Sequence, residues 1–428
     1  MHPKAFFDAC AALVAQVMTF QHPADATVAR YFREHHHLGP RERQTLSDTV
    51  YNVLREKPRL EWLVRRCEGG LPKGAPPAAV ARRLALLAFK GEPEWRDAAC
   101  TDDERAWLAQ AANADEAALP AEARHLLPNW LAERLQAQVG EGFDALAASL
   151  NVPATLDLRV NALKSKRPAV LRALQEAGMP AEPTPYAPLG VRLQGKPSLH
   201  KLPLYTEGAV EVQDEGSQLL VLLMEPKRNE MVADFCAGAG GKTLALGAAM
   251  RGTGRLYAMD TSGHRLEAIQ PRLTRSGLTN VHPMAIAHER DERLNRLAGK
   301  LDRVLVDAPC SGLGTLRRSP DLKWRQTAGG VAELAELQWR ILASAARLVK
   351  PGGRLVYATC SLLEEENEAV ARAFTAAHRD FLPVAAEELL ARAGVEGAEG
   401  LCSGGYLRLW PHLHGTDGFF AAVWNKKP

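Results

Sequence analysis

Apolar residues in the first part of the chain recur at helical spacing: Phe6, Cys10, Leu13, Val14, Val17 and Met18, then Val28, Tyr31 and Phe32 behind the capping candidate Asp25. Leu46, Val50, Val53 and Leu54 continue the pattern, followed by Leu60, Leu63 and Val64. Residues three and four apart share one helix face, so the stretch predicts amphipathic helices packed on one another. The break Leu71-Pro-Lys-Gly-Ala-Pro-Pro77 precedes another helix, Ala78 to Phe89, and the polar, alanine-rich Ala98 to Ala121 predicts one more helix and a linker. From Pro128 the pattern changes. Helices over Trp130 to Val139 and Phe143 to Leu150 lead to a strand at Thr155 to Val160, a helix from Pro168 to Ala177 and a strand at Val191 to Leu193, a small α+β module.

The densest pattern lies between Met231 and Cys360. Three apolar strands each end in a short polar cluster: Asp234-Phe-Cys236-Ala237-Gly238-Ala239-Gly240-Gly241-Lys242-Thr243, Asp307-Ala-Pro-Cys310-Ser-Gly and Ala358-Thr-Cys360-Ser. Strands alternating with helices predict an open α/β sheet, whose ligands gather outside the carboxyl ends of the strands. The clusters therefore converge on one site. Gln213-Asp-Glu-Gly-Ser217 is expected to cap the helix ahead of the first of these strands.

The glycine cluster follows the strand Met231 to Phe235 and opens a helix over Thr243 to Met250. Its glycines let the backbone approach a ligand, and the helix N-terminus offers unpaired N–H groups. Asp260, after a second strand Gly254 to Met259, lies roughly 20 residues on, the spacing of an acid that binds ribose hydroxyls. A phosphate loop would need glycine where Cys236 stands, and a dinucleotide fingerprint would need glycine at Thr243. S-adenosylmethionine carries a ribose and a carboxylate without phosphate, which suits a shortened loop with Asp260.

Composition narrows the picture. A chain of 428 residues with 46% hydrophobic content supports two or three domains. No apolar run approaches a membrane span and no signal-type segment opens the chain, so a cytoplasmic protein is expected. Seven cysteines with no C-x-x-C spacing argue against disulfides and zinc, and no metal is expected. The net charge of +3 requires any nucleic-acid binding to rest on local patches. Arg41, Arg43, Arg55, Arg65 and Arg66 form one such set, or simply the charged outer face of a bundle. Arg159, Asn161, Lys164, Lys166 and Arg167 form another, or a solvated turn. His35-His-His37 is read as a solvated loop, because adjacent histidines do not share a helix face.

Several stretches together resemble the RsmB/Sun (Fmu) family of RNA cytosine-5 methyltransferases. They are Val212-Gln-Asp-Glu-Gly-Ser-Gln218, the glycine cluster, Asp307 to Gly312, Arg318-Ser-Pro-Asp-Leu-Lys-Trp324, Lys350 to Ser361 with Glu365-Glu-Asn-Glu368, and Gly415-Thr-Asp-Gly-Phe-Phe420. The resemblance runs from Leu126 to the C-terminus. Gly39-Pro-Arg-Glu-Arg43 and Val50-Tyr-Asn-Val-Leu-Arg55 resemble the NusB-like domain of the RsmB branch less firmly. It implies a Rossmann-like class I methyltransferase domain over 211–428, preceded by a small α+β RNA-binding module over 123–210 and an all-helical NusB-like domain over 1–122. It also implies S-adenosylmethionine as cofactor, RNA as partner, with ribosomal RNA expected, and a monomer.

Carbon 5 of cytosine is a poor nucleophile, so its methylation calls for a thiolate to attack C6 first. The resemblance makes Cys360 that nucleophile and gives Cys310 the release of product, with Asp307 and Lys242 at the base. Cofactor binding falls to Cys236, Ala237, Gly238, Ala239, Gly240, Gly241, Lys242, Asp260 and Asp307, the Cys236 side chain itself being read as packing. A helix beginning near Leu363 is expected to favour the Cys360 thiolate by about 0.3 to 1 kcal/mol, with Glu364, Glu365 and Glu366 partly cancelling it. Two positions depart from the family pattern. Ala239 replaces a proline, and Ala287 stands where an acid reads the adenine amine. The second departure keeps open a competing function, an RNA-binding assembly factor with weak or lost catalysis.

Overall fold

The computed structural model describes residues 2–67 and 69–428. They form two compact units: residues 1–153 with 316–328, and residues 154–315 with 329–428.

The first unit is helical. Helices Pro3–Val17, Ala24–Glu34, Pro40–Arg66 and Pro77–Ala88 bury the apolar stripe read from the sequence, with Phe6, Leu13, Leu46, Leu54 and Leu84 withdrawn from solvent. Phe6, Phe7, Phe89 and Trp95 pack mostly edge to face, the Phe6 and Trp95 centroids 4.8 Å apart. Arg55, a candidate for phosphate, is buried here and donates to the Arg317 carbonyl at 3.2 Å, so its role is internal. His35 caps its helix and stacks on Tyr31 at 3.9 Å, with no metal-like cluster among the described residues.

The segment 316–328 is built into this unit. Trp324 Nε1 donates to Leu54 O at 2.7 Å, and Asp321 accepts from Ala24 N at 3.2 Å. Lys323 is buried, its Nζ donating to Arg55 O at 2.9 Å and Asn151 Oδ1 at 2.7 Å. Burial depresses the Lys323 pKa well below its usual value. The stretch Arg318 to Trp324 thus serves as a plug of polar and aromatic anchors in the helical unit.

The second unit contains two sheets. Strands β1 (Leu156–Val160), β2 (Ala181–Pro183), β3 (Gly190–Leu193) and β4 (Val210–Val212) form an antiparallel sheet in the order β2-β3-β1-β4, with the helix Arg167–Glu176 beside it. Part of the expected RNA edge on this module is internal, whereas Lys164 and Lys166 stay exposed. Arg159 and Asn161 are 4% and 3% exposed; Arg159 donates to Gln213 Oε1 at 2.6 Å, and Asn161 to the carbonyls of Gly208 and Ser276. Lys164 Nζ likewise goes to the carbonyls of Glu207 and Arg275. Backbone carbonyls at the ends of neighbouring elements need donors, and these side chains supply them.

The larger sheet runs β5 (Met231–Asp234), β6 (Arg255–Asp260), β7 (Val281–Ala285), β8 (Leu301–Asp307), β9 (Val349–Thr359), β10 (Phe381–Val384), β11 (Cys402–Ser403), β12 (Tyr406–Leu409) and β13 (Phe419–Lys426). Their order is β11-β12-β13-β9-β8-β5-β6-β7, with β10 on β13; the pairings from β9 to β7 are parallel and β13 is antiparallel to β9. Both faces are packed, Leu305 in one core and Val304 and Val306 in the other, which is why the centre of β8 reads as an unbroken apolar run. The chain goes outward from β5 to β7 and returns to lie beside β5 as β8, so the order reverses between β5 and β8. A crevice at their carboxyl ends follows from that reversal. Among the described residues no helix is long and apolar enough to cross a membrane.

Candidate active site

The turn after β5 is tied to both neighbouring strands: Phe235 N donates to Leu305 O and Ala237 N to Met259 O, each at 2.8 Å. Gly240, at φ +84°, starts the helix Gly241–Ala249, and a Cβ there would stand 2.8 Å from Ile269. Only glycine meets both demands. Asp260 closes β6 and grips the turn, accepting from Gly238 N at 2.9 Å through Oδ2 and from Ser262 N at 2.7 Å through Oδ1. Each carboxylate oxygen keeps a lone pair for a further donor such as a ribose hydroxyl.

Lys242, at the start of the same helix, reaches across to β8 and donates to Asp307 Oδ2 at 2.7 Å. Burial opposes its charge, but Asp307 outweighs burial and raises the Lys242 pKa, so the side chain is an ammonium. Its Nζ also lies 5.8 Å from the centre of the Phe419 ring. Phe419 arrives here through register: Phe420 pairs with Thr359 across β13 and β9, which brings the start of β13 beside the end of β9.

Beyond β8 and β9 come the two thiols. Cys310 Sγ and Cys360 Sγ are 3.4 Å apart. The Cys310 thiol is pushed well above its usual pKa, first by its hydrogen bond with Cys360, then by burial and by the charge of Glu366. Gly314 N donates to Cys360 O at 2.8 Å, and a Cβ at Gly314 would stand 2.1 Å from Gly418 O. Three separate stretches, around Gly314, Cys360 and Gly418, therefore lock together by contact of bare backbone.

A single cavity of about 730 Å³ gathers Cys236, Ala237, Gly238, Ala239, Gly241, Lys242, Asp260, Asp307, Cys310 and Cys360 on its wall. Of the expected set, Gly240 alone stands off the wall, turned onto Ile269. Cys236 does line the cavity, but burial and the carboxylates of Asp234, Asp307 and Asp260 drive its pKa well up, so it remains a neutral thiol. The size of the cavity, the open turn at Gly238 and the partly free carboxylate of Asp260 fit a nucleoside-containing cofactor with thiols and a carboxylate at its other end.

Two expectations change. No α-helix starts near Leu363; a short 3-10 turn spans Glu364–Glu366 and the helix begins only at Glu368, so helix-dipole help at Cys360 falls away. Glu366 turns inward, fully buried, instead of capping. At the end of β7, the Ala287 backbone N–H is bound by Asp291 at 2.8 Å, while His288 and Glu289 line the cavity nearby.

Phe419, Gln213, Ser217 and Glu289 were not among the residues singled out for chemistry, yet all four line this wall. For Phe419 the signal was present in Gly415 to Phe420, more than a hundred residues of sequence away from Asp307. Gln213 and Ser217 sit beside the expected cap, where Asp214 accepts from Gly216 N at 2.8 Å.

Comparison with known proteins agrees with this fold. Residues 221–425 match the model of the 16S rRNA methyltransferase RsmB/F family, and residues 127–200 that of an RsmF/B-like ferredoxin-like domain. The chain is 32% identical to a probable ribosomal RNA small subunit methyltransferase B of Synechocystis, over 94% of this chain and 95% of that protein. The crystal structure of PH0851 superposes with a TM-score of 0.79 at 26% identity, covering 100% of this chain and 99% of the other. A methyltransferase homologue from Pyrococcus horikoshii gives a TM-score of 0.60 at 29% identity over 73% of this chain and all of that one. With a Rossmann-like sheet, a glycine turn gripped by Asp260 and paired thiols at the strand ends, the chain belongs to the RsmB/F family of 16S rRNA methyltransferases.

Proposed function

We propose that the protein transfers a methyl group from S-adenosylmethionine to carbon 5 of a cytosine in ribosomal RNA, through a covalent bond between Cys360 and C6. The observation that carries this reading is the pairing of Cys310 with Cys360 at 3.4 Å on the cavity wall that also holds the Lys242–Asp307 pair. When bound, the cofactor supplies an electrophilic methyl group on a sulfonium centre. The glycine turn and Asp260 hold its nucleoside end.

The rest falls to side chains. A target base must leave its stack to reach this wall, and the Phe419 ring offers it an aromatic face. Asp307 accepts from the exocyclic amine or the protonated N3, while Lys242 holds Asp307 in place. The Cys310 and Cys360 sulfurs are within hydrogen-bond reach, and a Cys310 thiol whose pKa is raised can donate to a thiolate at Cys360, the sulfur that attacks. Attack at C6 makes C5 enamine-like, and C5 takes the methyl group. Loss of the C5 proton to a base and rupture of the C6–S bond then restore the ring, a step assigned to Cys310.

The helical domain over 1–122 and the small module over 123–210 are proposed to bring RNA to this wall. Arg41, Arg43, Arg65 and Arg66 remain candidates for phosphate contact; Arg55, Arg159 and Asn161 do not. A binding-only role draws support from one observation, Ala287 in place of an acid with its N–H already engaged by Asp291. Bisulfite sequencing of ribosomal RNA from a deletion strain, with methylation restored by the purified protein and cofactor, tests the enzymatic reading. A native cytosine pattern in that strain, with no cofactor binding by calorimetry, would leave the binding-only role.

A further inference from the structure

Glu366 carries a carboxylate that is fully buried, 0% exposed, and no cation is bonded to it among the described residues. A buried carboxylate in that state needs hydrogen-bond donors, and here they come from both thiol loops. Ser311, next to Cys310, donates its backbone N–H to Oε1 at 2.8 Å and its hydroxyl to Oε2 at 2.5 Å. Ser361, next to Cys360, donates its hydroxyl to Oε2 as well. Gln338 Nε2 bridges Oε1 and Pro309 O, each at 3.0 Å, and the Tyr357 hydroxyl donates to Gln338 Oε1 at 3.0 Å. One carboxylate therefore ties the residues following each thiol to a common point, with Gln338 bracing it from the helix Ala328–Ala346.

The geometry points to Glu366 as the positioning residue that holds the two active-site thiols opposite each other. It rests on the two-cysteine reading above. Glu366 touches neither substrate nor cofactor, since it lies behind the cavity wall; it acts through Ser311 and Ser361 on the loops that carry Cys310 and Cys360. Glutamine in its place keeps the shape. Its oxygen can accept from Ser311 N and Gln338, and its amide can donate to the two serine hydroxyls, which lie 3.2 Å apart and rotate freely enough to accept. Alanine removes every tie at once.

The test measures kcat and KM for RNA, and cofactor affinity by calorimetry, on the full chain. Glu366→Ala is expected to lower kcat by about 10²-fold, the cost of small misplacement of reacting groups, with KM and cofactor affinity within about twofold of native. Glu366→Gln should recover most of that loss. The pair Ser311→Ala with Ser361→Ala should lower kcat in the same direction without moving KM. A native kcat in Glu366→Ala, a kcat loss matched by an equal loss of cofactor affinity, or a glutamine variant no better than alanine would each overturn the assignment. If Glu366→Ala does not fold, the serine pair decides, and native kcat there sinks the inference. Cys360→Ala assayed alongside separates the two readings: activity in that variant refutes the two-cysteine mechanism, whereas inactivity beside a fully active Glu366→Ala refutes only the role of Glu366.

Discussion

The sulfur atoms of Cys310 and Cys360 face each other at 3.4 Å, although the residues lie fifty apart in the chain. If Cys360 attacks C6, Cys360→Ala should abolish both turnover and any covalent RNA adduct. Cys310→Ala should still attack and transfer the methyl group but stall at elimination, accumulating as a denaturant-resistant complex with methylated RNA. A denaturing gel with labelled RNA and cofactor distinguishes them. An adduct that persists in Cys360→Ala and vanishes in Cys310→Ala would reverse the roles.

Lys242 and Asp307 should behave as one unit. Asp307→Asn is expected to lower kcat/KM by about 10² to 10³-fold, because a preorganised charge facing the base is lost. Lys242→Met should cost a similar factor, and the double variant little more than either single one, since each partner works through the 2.7 Å bond between them. Additive losses in steady-state kinetics would separate their roles.

Asp260→Ala should weaken S-adenosylmethionine binding by about 1 to 3 kcal/mol, through lost partners for ribose and a loosened Gly238 turn. Calorimetry reads the change directly. Unchanged affinity would mean that the cofactor's ribose lies elsewhere.

Asp234 makes stability depend on pH. Burial raises its carboxyl to about 7, with Thr243 opposing the rise and Asp307 adding to it. Between the unfolded value near 4 and the folded value, the folded chain keeps a proton that the unfolded chain has released, so stability falls as pH rises through this window. Asp234→Asn can still accept from the Thr243 hydroxyl, a bond of 2.7 Å, but carries no charge. It should match the native protein near pH 4 and exceed it above about pH 8 by roughly 2 to 4 kcal/mol in urea unfolding. A difference that does not vary with pH would refute the buried charge.

Local pattern accounts for much of what could be read beforehand. Helical and strand periods predicted the helix Pro77–Ala88 and the strands β1, β5 and β6 to within a residue or so, because burying one face of an element leaves its period in the sequence; the helix expected within Ala98 to Ala121 is the shorter Asp102–Ala112, followed by a 3-10 turn at Glu116–Ala118. The polar clusters after β5, β8 and β9 were legible for the same reason: each is contiguous, and an α/β sheet puts all three at one edge. What the chain did not disclose depended on partners distant in sequence. Arg159 and Asn161 look like a basic surface until Gln213, Gly208 and Ser276 close over them. Glu366 looks like one of three helix-capping acids until Ser311 and Gln338 meet it, fully buried, behind the thiols. Residues 316–328 look like part of the catalytic domain, yet Leu54, Arg55 and Asn151 supply the carbonyls that hold Trp324 and Lys323 in the helical unit. A polar side chain carries no mark of whether water or a buried carbonyl will satisfy it, so that choice was left to the tertiary structure.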